Sequence, residues 1–211
     1  MHRYLFLLTA GFFLLSFNTP AGAAKKTVFS CSMTTDSESG WHIVRLVAEN
    51  KTDPKKTIQV KICPEGGCNF YSFTIGETEL LLQPEKLGAL TSKFAGNPIL
   101  YPTPNRVRNA TYVFLGETYH MAFPGESRSH LCHGLAWDDT AWEFGEPAAG
   151  SKSAWFRARY ALDKNNPRFP AFPFANSLTV EYTLFEDRVR VNYEVQNHDE
   201  KPLGFGFALH P

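Results

Sequence analysis

Apolar and polar residues alternate along several segments of the chain. The clearest are residues 178–184 and 189–195, in which every second residue is apolar, with Glu186-Asp187 between them. Residues 58–62 have the same pattern. A period of two places successive side chains on opposite faces of a β-strand. The pattern therefore predicts half-buried strands, the last two of them long, antiparallel and joined by a tight turn.

Turn signals separate further short apolar segments. Gly76-Glu77 divides 70–75 from 79–82, and Gly116-Glu117 divides 112–115 from 118–121. Both arrangements predict β-hairpins. No sustained helical period is present, and only residues 86–94 have room for a short helical turn.

The remaining segments set the limits of the predicted domain. Residues 165–174 contain three prolines and are predicted to form an extended loop. Residues 24–40 are polar and rich in Ser and Thr, which indicates a flexible lead-in or a weak first strand. The sequence thus predicts an all-β protein, with a large antiparallel β-sandwich over residues 41–211.

The N-terminus has the order of a secretory signal peptide. His2 and Arg3 precede an apolar run over residues 4–17, and small residues follow at 21–23. The run is shorter than the roughly 20 residues that span a bilayer. We therefore expect residues 1–23 to be removed after Ala23 and the mature protein to be exported, to a periplasm or the outside, without stable membrane association.

Charge and cysteine content limit the classes of partner and of metal or disulfide site that are expected. The 21 basic and 21 acidic residues balance, so no net positive field favours nucleic acid, and none is expected as a partner. Cys31, Cys63, Cys68 and Cys132 would meet an oxidising compartment after export. Structural disulfides or free thiols are favoured over a metal site, because the spacing is not that of a zinc site. The short turn over 63–68 predicts a Cys63–Cys68 bridge, while the overall pairing and the oligomeric state stay open.

Three places have side chains suited to chemistry. Arg106 follows two prolines in the segment 102–107, where its planar guanidinium would be held in position to bind adjacent sugar hydroxyls. A surface ion pair is the alternative for this arginine. His133 precedes a glycine, which allows close backbone approach to a ligand, although a histidine before a glycine also fits a structural role. Trp137, Asp138, Asp139 and Trp142 follow, a mix of stacking and hydrogen-bonding groups suited to a sugar. His210 shares one face of a possible strand with Gly206 and Ala208, which leaves room for a guest or for tight packing.

Taken together, these segments resemble the aldose 1-epimerase (galactose mutarotase) family. The resemblance runs from about residue 59 to residue 211 and includes the motifs at 64–69, 105–107, 133–134, 172–174 and 209–211. It implies the galactose mutarotase-like supersandwich, incomplete at its C-terminal end in this chain.

The resemblance also implies residue roles. Arg106, with Asn105 beside it, matches the sugar-binding arginine motif, and His133 matches the first active-site histidine. His210 matches the second, which acts as general acid on the ring oxygen. The family's general base is a glutamate downstream of His210, so the chain is expected to end before its base. The family often has an arginine where Trp137 stands, which leaves the sugar preference open.

The implied reaction interconverts the α and β anomers of a free hexose, a monosaccharide substrate, by acid–base ring opening. Proton transfers and orientation suffice for it, so no cofactor or metal is expected. One alternative is a hexose-phosphate mutarotase, which would use arginines such as Arg108, Arg128, Arg157, Arg159 and Arg168 for the phosphate. Others are a non-catalytic carbohydrate-binding module, and a lyase or hydrolase on the same sandwich.

Overall fold

The computed structural model describes residues 26–121 and 130–211. Its first sheet has five antiparallel strands in chain order. They are β1 (Thr27–Thr35), β2 (His42–Asn50), β3 (Ile58–Cys63), β4 (Asn69–Ile75) and β5 (Thr78–Glu79).

The second sheet packs against the first. Its path is β11 (Trp142–Phe144), β13 (Ala154–Leu162), β14 (Asn176–Leu184) and β15 (Val189–Asn197), and the short β12 (Ala148–Ala149) also pairs with β13. Strands β13, β14 and β15 are antiparallel along their full lengths. The two sheets face each other across a common core, as in a β-sandwich.

Three two-stranded ribbons complete the strands of the described ranges. β6 (Ile99–Leu100) pairs with β16 (Ala208–Leu209), β7 (Arg106–Arg108) with β10 (His130–Cys132), and β8 (Thr111–Phe114) with β9 (Glu117–His120). The helices in the same ranges are short 3₁₀ turns at Pro54–Lys56, Leu87–Thr91 and Phe169–Ala171. None of these described helices is long and apolar enough to cross a membrane.

The core follows the alternation seen in the sequence. Leu178, Val180, Tyr182 and Leu184 of β14 are fully buried, opposite the apolar face of β2 and β3. The hydroxyl of Tyr182 donates a hydrogen bond of 2.8 Å to the carbonyl of Cys68. This bond joins the second sheet to the turn before β4 and pairs the buried hydroxyl of Tyr182, as burial of a polar group requires.

The fold class and most predicted elements are confirmed. The hairpin at Gly116-Glu117 and the long strands β14 and β15 form as expected, and the short helical turn forms within 86–94. Residues 165–174 differ from the expected extended loop, because Phe169–Ala171 closes one 3₁₀ turn. The predicted signal peptide at 1–23 lies outside the described residues.

The lead-in expected over 24–40 contains strand β1, so its strand alternative is the one found. All nine residues of β1 pair with β2. Phe29, Cys31 and Met33 pack against the core from one face, while Val28, Ser30, Ser32 and Thr34 occupy the other. The sandwich accordingly includes residues 27–35, which precede the predicted start at residue 41.

The predicted Cys63–Cys68 disulfide is wrong, because all four cysteines are free thiols. The two side chains belong to different apolar clusters. Cys68 packs into the main core between the sheets, whereas Cys63 packs with Tyr71 and Leu90 in a smaller cluster beneath the 3₁₀ turn. Burial raises the pKa of the Cys63 thiol to about 12, so it behaves as a small apolar side chain.

Candidate active site

Backbone hydrogen bonds fix the position of His133 at the end of strand β10. The residue has a positive φ of 69°, and its N–H donates to the carbonyl of Asn105 at 2.9 Å. Asn105 also has a positive φ, of 67°, and its side-chain Oδ1 accepts from the N–H of Arg106 at 2.8 Å. Strained conformations of this kind concentrate at functional sites. The 105–106 segment and His133 are therefore held as one unit.

Gly134 joins this unit to the central segment of the site. It has a φ of 78° and lies against Tyr101, where a Cβ on Gly134 would stand 2.3 Å from the Tyr101 carbonyl oxygen. The same oxygen accepts hydrogen bonds from Leu135 at 2.6 Å and Ala136 at 3.0 Å. Only glycine fits this approach, which explains the His-Gly pair in the sequence.

The ribbon of β6 and β16 delivers His210 to the same place. Leu209 pairs with Ile99, and the N–H of His210 donates to the carbonyl of Pro98 at 3.2 Å. Upstream, the N–H of Gly206 donates to the carbonyl of Pro102 at 2.7 Å. The C-terminal residues thus lie along the segment that precedes Arg106.

The two histidines meet. Their ring centroids are 5.2 Å apart with the ring planes at 78°. Phe94 lies against both, edge-on to His133 at 4.9 Å and parallel to His210 at 5.8 Å. Its ring also stacks on Trp137 at 4.6 Å. We call these four residues the aromatic–histidine cluster.

The surroundings of His133 shift the pKa of its imidazole. Partial burial, followed by the charges of His210 and Arg106, lowers the pKa of His133 below its usual 6.5. A group with a lowered pKa keeps a neutral imidazole near pH 7. The Nδ1 atom of His133 is buried and has no hydrogen-bond partner among the described residues. The imidazole therefore has an unused polar atom inside the site.

The predicted site residues are found as follows. His133 and His210 are in ring contact, and Arg106 is close enough for its charge to act on His133. Arg106 is exposed at the start of β7, where it faces solvent. The structure assigns Asn105 a bridging position between Arg106 and His133.

The acidic residues after Trp137 have another task. The Arg168 guanidinium forms ion pairs with Asp138 and Asp139 and donates to the carbonyl of Leu135 at 2.7 Å. Asp139 also accepts from the hydroxyl of Tyr160 at 2.8 Å. Asp138 and Asp139, which the sequence grouped with sugar-binding side chains, therefore anchor the 135–139 segment to the second sheet. Within the described ranges, no group of three or more His, Cys, Asp or Glu residues is arranged to hold a metal ion.

Sequence reasoning missed Phe94 as part of the site. A single exposed aromatic in a loop has no periodicity to mark it. Its position depends on Asn69, which is buried, donates to the carbonyl of Ala95 at 3.0 Å and accepts from the N–H of Asn97 at 2.9 Å. Asn69 ends the 64–69 motif, so this motif supports the site rather than forming it.

Comparison with known proteins identifies the group to which this arrangement belongs. The sequence model of the aldose 1-epimerase family matches residues 52–211. The chain belongs to the aldose 1-epimerase family. The resemblance inferred from the motifs is therefore confirmed.

Solved structures share the fold. A galactose mutarotase-like protein from Clostridium acetobutylicum aligns over 82% of this chain and 50% of its own, with a TM-score of 0.65 and 18% identity. A galactose 1-epimerase from Lactobacillus acidophilus aligns over 82% and 48%, with a TM-score of 0.56 and 17% identity. A galactose mutarotase-like protein from Lactobacillus casei aligns over 86% and 49%, with a TM-score of 0.55 and 20% identity. This chain spans about half the length of these structures.

Proposed function

We propose that the protein is an aldose 1-epimerase that interconverts the α and β anomers of a free hexose. The observation that carries the proposal is the contact between His133 and His210 beside Arg106. These residues come from three separate segments of the chain, and the family resemblance assigns a sugar-site role to each. Their convergence supports a single acid–base site.

The two imidazoles have different roles at the ring oxygen. The side chain of His210 is exposed. It donates a proton to the ring oxygen as the ring opens and takes the proton back on closure. The lowered pKa keeps His133 neutral, so it stays a hydrogen-bonding partner for the sugar rather than a cation. The opposite transfer, from the C1 hydroxyl, falls to the carboxylate base that the family resemblance implies downstream.

Arg106 orients the substrate. Its guanidinium has five N–H donors in a plane and matches two adjacent hydroxyls. The bond from the Arg106 backbone N–H to Asn105 Oδ1 and the bond from the His133 backbone N–H to the Asn105 carbonyl hold the backbones of Arg106 and His133 at a fixed offset from each other. Such positioning contributes to the rate by keeping the reacting atoms aligned.

The arrangement of arginines favours a neutral sugar over a hexose phosphate. Arg168 is committed to Asp138 and Asp139. Arg159 pairs with Glu143 at 2.8 Å on the outer face of β13, and Arg157 is exposed on the same strand. Of the arginines considered for a phosphate, only Arg108 lies on the same short strand as Arg106 within the described ranges, and Arg128 lies outside them.

We also propose that the protein is exported. The order of basic, apolar and small residues over 1–23 supports this, and a neutral free sugar is a substrate available outside the cytoplasm. Mass spectrometry of the secreted protein would find Ala24 as the first residue. An intact Met1 would contradict export by this route.

Polarimetry tests the activity. The full-length protein is expected to speed the approach of fresh α-D-glucose or α-D-galactose to the anomeric equilibrium. His210→Asn, which keeps a polar side chain but cannot act as an acid near pH 7, is expected to lower kcat by about 10²- to 10⁴-fold. His120→Asn, at an exposed position in the β8–β9 hairpin, is the matched control. Sugar binding without any rate increase by the unmodified protein would favour a carbohydrate-binding module instead.

A further inference from the structure

The aromatic–histidine cluster contains two residues to which the proposed reaction gives no part. Phe94 is 44% exposed, although it is a large apolar side chain. Trp137 is only 8% exposed and lies directly behind it. The exposed phenyl ring stacks on a buried indole beside two histidines, and it therefore forms an apolar surface where the proposed reaction would place its substrate.

The position of Phe94 is fixed by the fold rather than by chance contact. Asn69 ties down the carbonyl of Ala95 and the N–H of Asn97 on the C-terminal side. On the N-terminal side, the 3₁₀ turn Leu87–Thr91 is anchored by buried Leu87 and Leu90. The Phe94 ring therefore remains near the imidazoles of His133 and His210 without being packed into the core.

Unpaired polar atoms next to the ring indicate a ligand. The indole Nε1 of Trp137 and the Nδ1 of His133 are both buried and have no hydrogen-bond partner in the described part of the chain. A buried donor without a partner is costly and rare in folded proteins. A hydroxylated ligand would supply partners to such atoms while its C–H groups cover the phenyl ring.

We propose that Phe94 is a substrate-binding residue that, backed by Trp137, forms an aromatic wall on which the apolar C–H face of a neutral aldose packs. This inference rests on the proposed function. The wall is uncharged and offers no cationic group to a phosphate, which suits it to the C–H face of a neutral sugar. Its contact with both imidazoles places the packed sugar beside His133 and His210.

The test is a kinetic comparison of side chains at position 94 in the full-length protein, with α-D-glucose and α-D-galactose as substrates. Phe94→Ala is expected to raise KM by about 2- to 12-fold, the value of a lost aromatic contact, with little change in kcat. A rise in KM alone indicates lost binding that is equal in the ground and transition states. Phe94→Leu, which keeps apolar bulk without a ring, is expected to resemble Phe94→Ala, and Phe94→Tyr to resemble the unmodified protein.

Phe205→Ala is the matched control, since Phe205 is also 44% exposed and contacts Tyr101 instead of the histidines. It is expected to leave KM unchanged. A second readout, which does not depend on turnover, is tryptophan fluorescence during sugar titration. Trp137→Phe identifies the share of Trp137 in the tryptophan signal, and this share is expected to change on sugar binding.

The results of these experiments distinguish a failure of the aromatic-wall proposal from a failure of the proposed function. Wild-type KM in Phe94→Leu would overturn the aromatic role, and a fall in kcat at constant KM in Phe94→Ala would show that the ring only positions the imidazoles. Either result leaves the proposed mutarotation standing. An unmodified protein that binds neither sugar and interconverts the anomers of neither would overturn the proposed function and this inference together.

Discussion

Replacing Gly134 by alanine separates two costs that the structure predicts at the centre of the site. The first is the positive φ of 78°, which costs an L-residue about 1–2 kcal/mol. The second is the collision of the new Cβ with the Tyr101 carbonyl oxygen at 2.3 Å. That oxygen cannot move without loss of its bonds from Leu135 and Ala136, so overpacking adds about 1–3 kcal/mol.

Gly40→Ala is the matched control, because the structure isolates the first cost there. Gly40 has a φ of 73°, and no atom lies within 4 Å of a Cβ built on it. The control should lose only the backbone term of about 1–2 kcal/mol, whereas Gly134→Ala should lose about 2–5 kcal/mol in total.

Urea denaturation of both variants measures the difference. For a domain of this size, each kcal/mol also lowers Tm by about 2–4 °C. Gly134→Ala should lower the proposed mutarotase activity as well, because relief of the collision displaces the neighbouring His133. Equal losses of stability in the two variants would refute the close approach of Gly134 to Tyr101, and with it the explanation of the His-Gly pair.

Two further predictions concern individual polar contacts. Tyr182→Phe removes the buried hydrogen bond to the Cys68 carbonyl and should lower the free energy of unfolding by about 1–3 kcal/mol. The control Tyr119→Phe removes an exposed bond to Glu117 and should change the stability little. Equal losses of stability in the two variants would contradict the buried bond. The pKa of His133 should lie below 6.5, since burial and the charges of His210 and Arg106 lower it. Arg106→Gln should therefore raise that pKa in an NMR titration, while a fall or no change would show that Arg106 lies away from the ring.

Sequence patterns predicted strands where one face of a strand is buried. β14 alternates cleanly because the core covers every second residue, from Leu178 to Leu184. β1 was less clear, since its core-facing Phe29, Cys31 and Met33 are only half-buried and their Ser and Thr neighbours suit a loop equally well. The disulfide prediction failed for a related reason: spacing gives the separation of Cys63 and Cys68 along the chain but not the cluster that each side chain enters.

For the candidate site, too, the sequence indicated some residues and missed others. Family motifs pointed to Arg106, His133 and His210, and in the structure the rings of the two histidines are in contact. Phe94 could not be found in this way, because its place beside His210 depends on hydrogen bonds that Asn69 makes to a distant loop. Asp138 and Asp139 had the composition of a sugar site, yet Arg168 uses them as an anchor, and no local pattern reveals such a long-range ion pair.

His133 and His210 are proposed to line one sugar site, and NMR of their imidazole resonances during addition of α-D-glucose or α-D-galactose tests this proposal. The variants His133→Asn, His210→Asn and His42→Asn assign the three signals. The His133 and His210 resonances should shift with one dissociation constant, while that of His42, whose Nδ1 lies 2.5 Å from Glu65 Oε1, should not respond. Saturating sugar that leaves the His133 and His210 resonances unchanged, or shifts only one of them, would show that the two histidines do not share a sugar site.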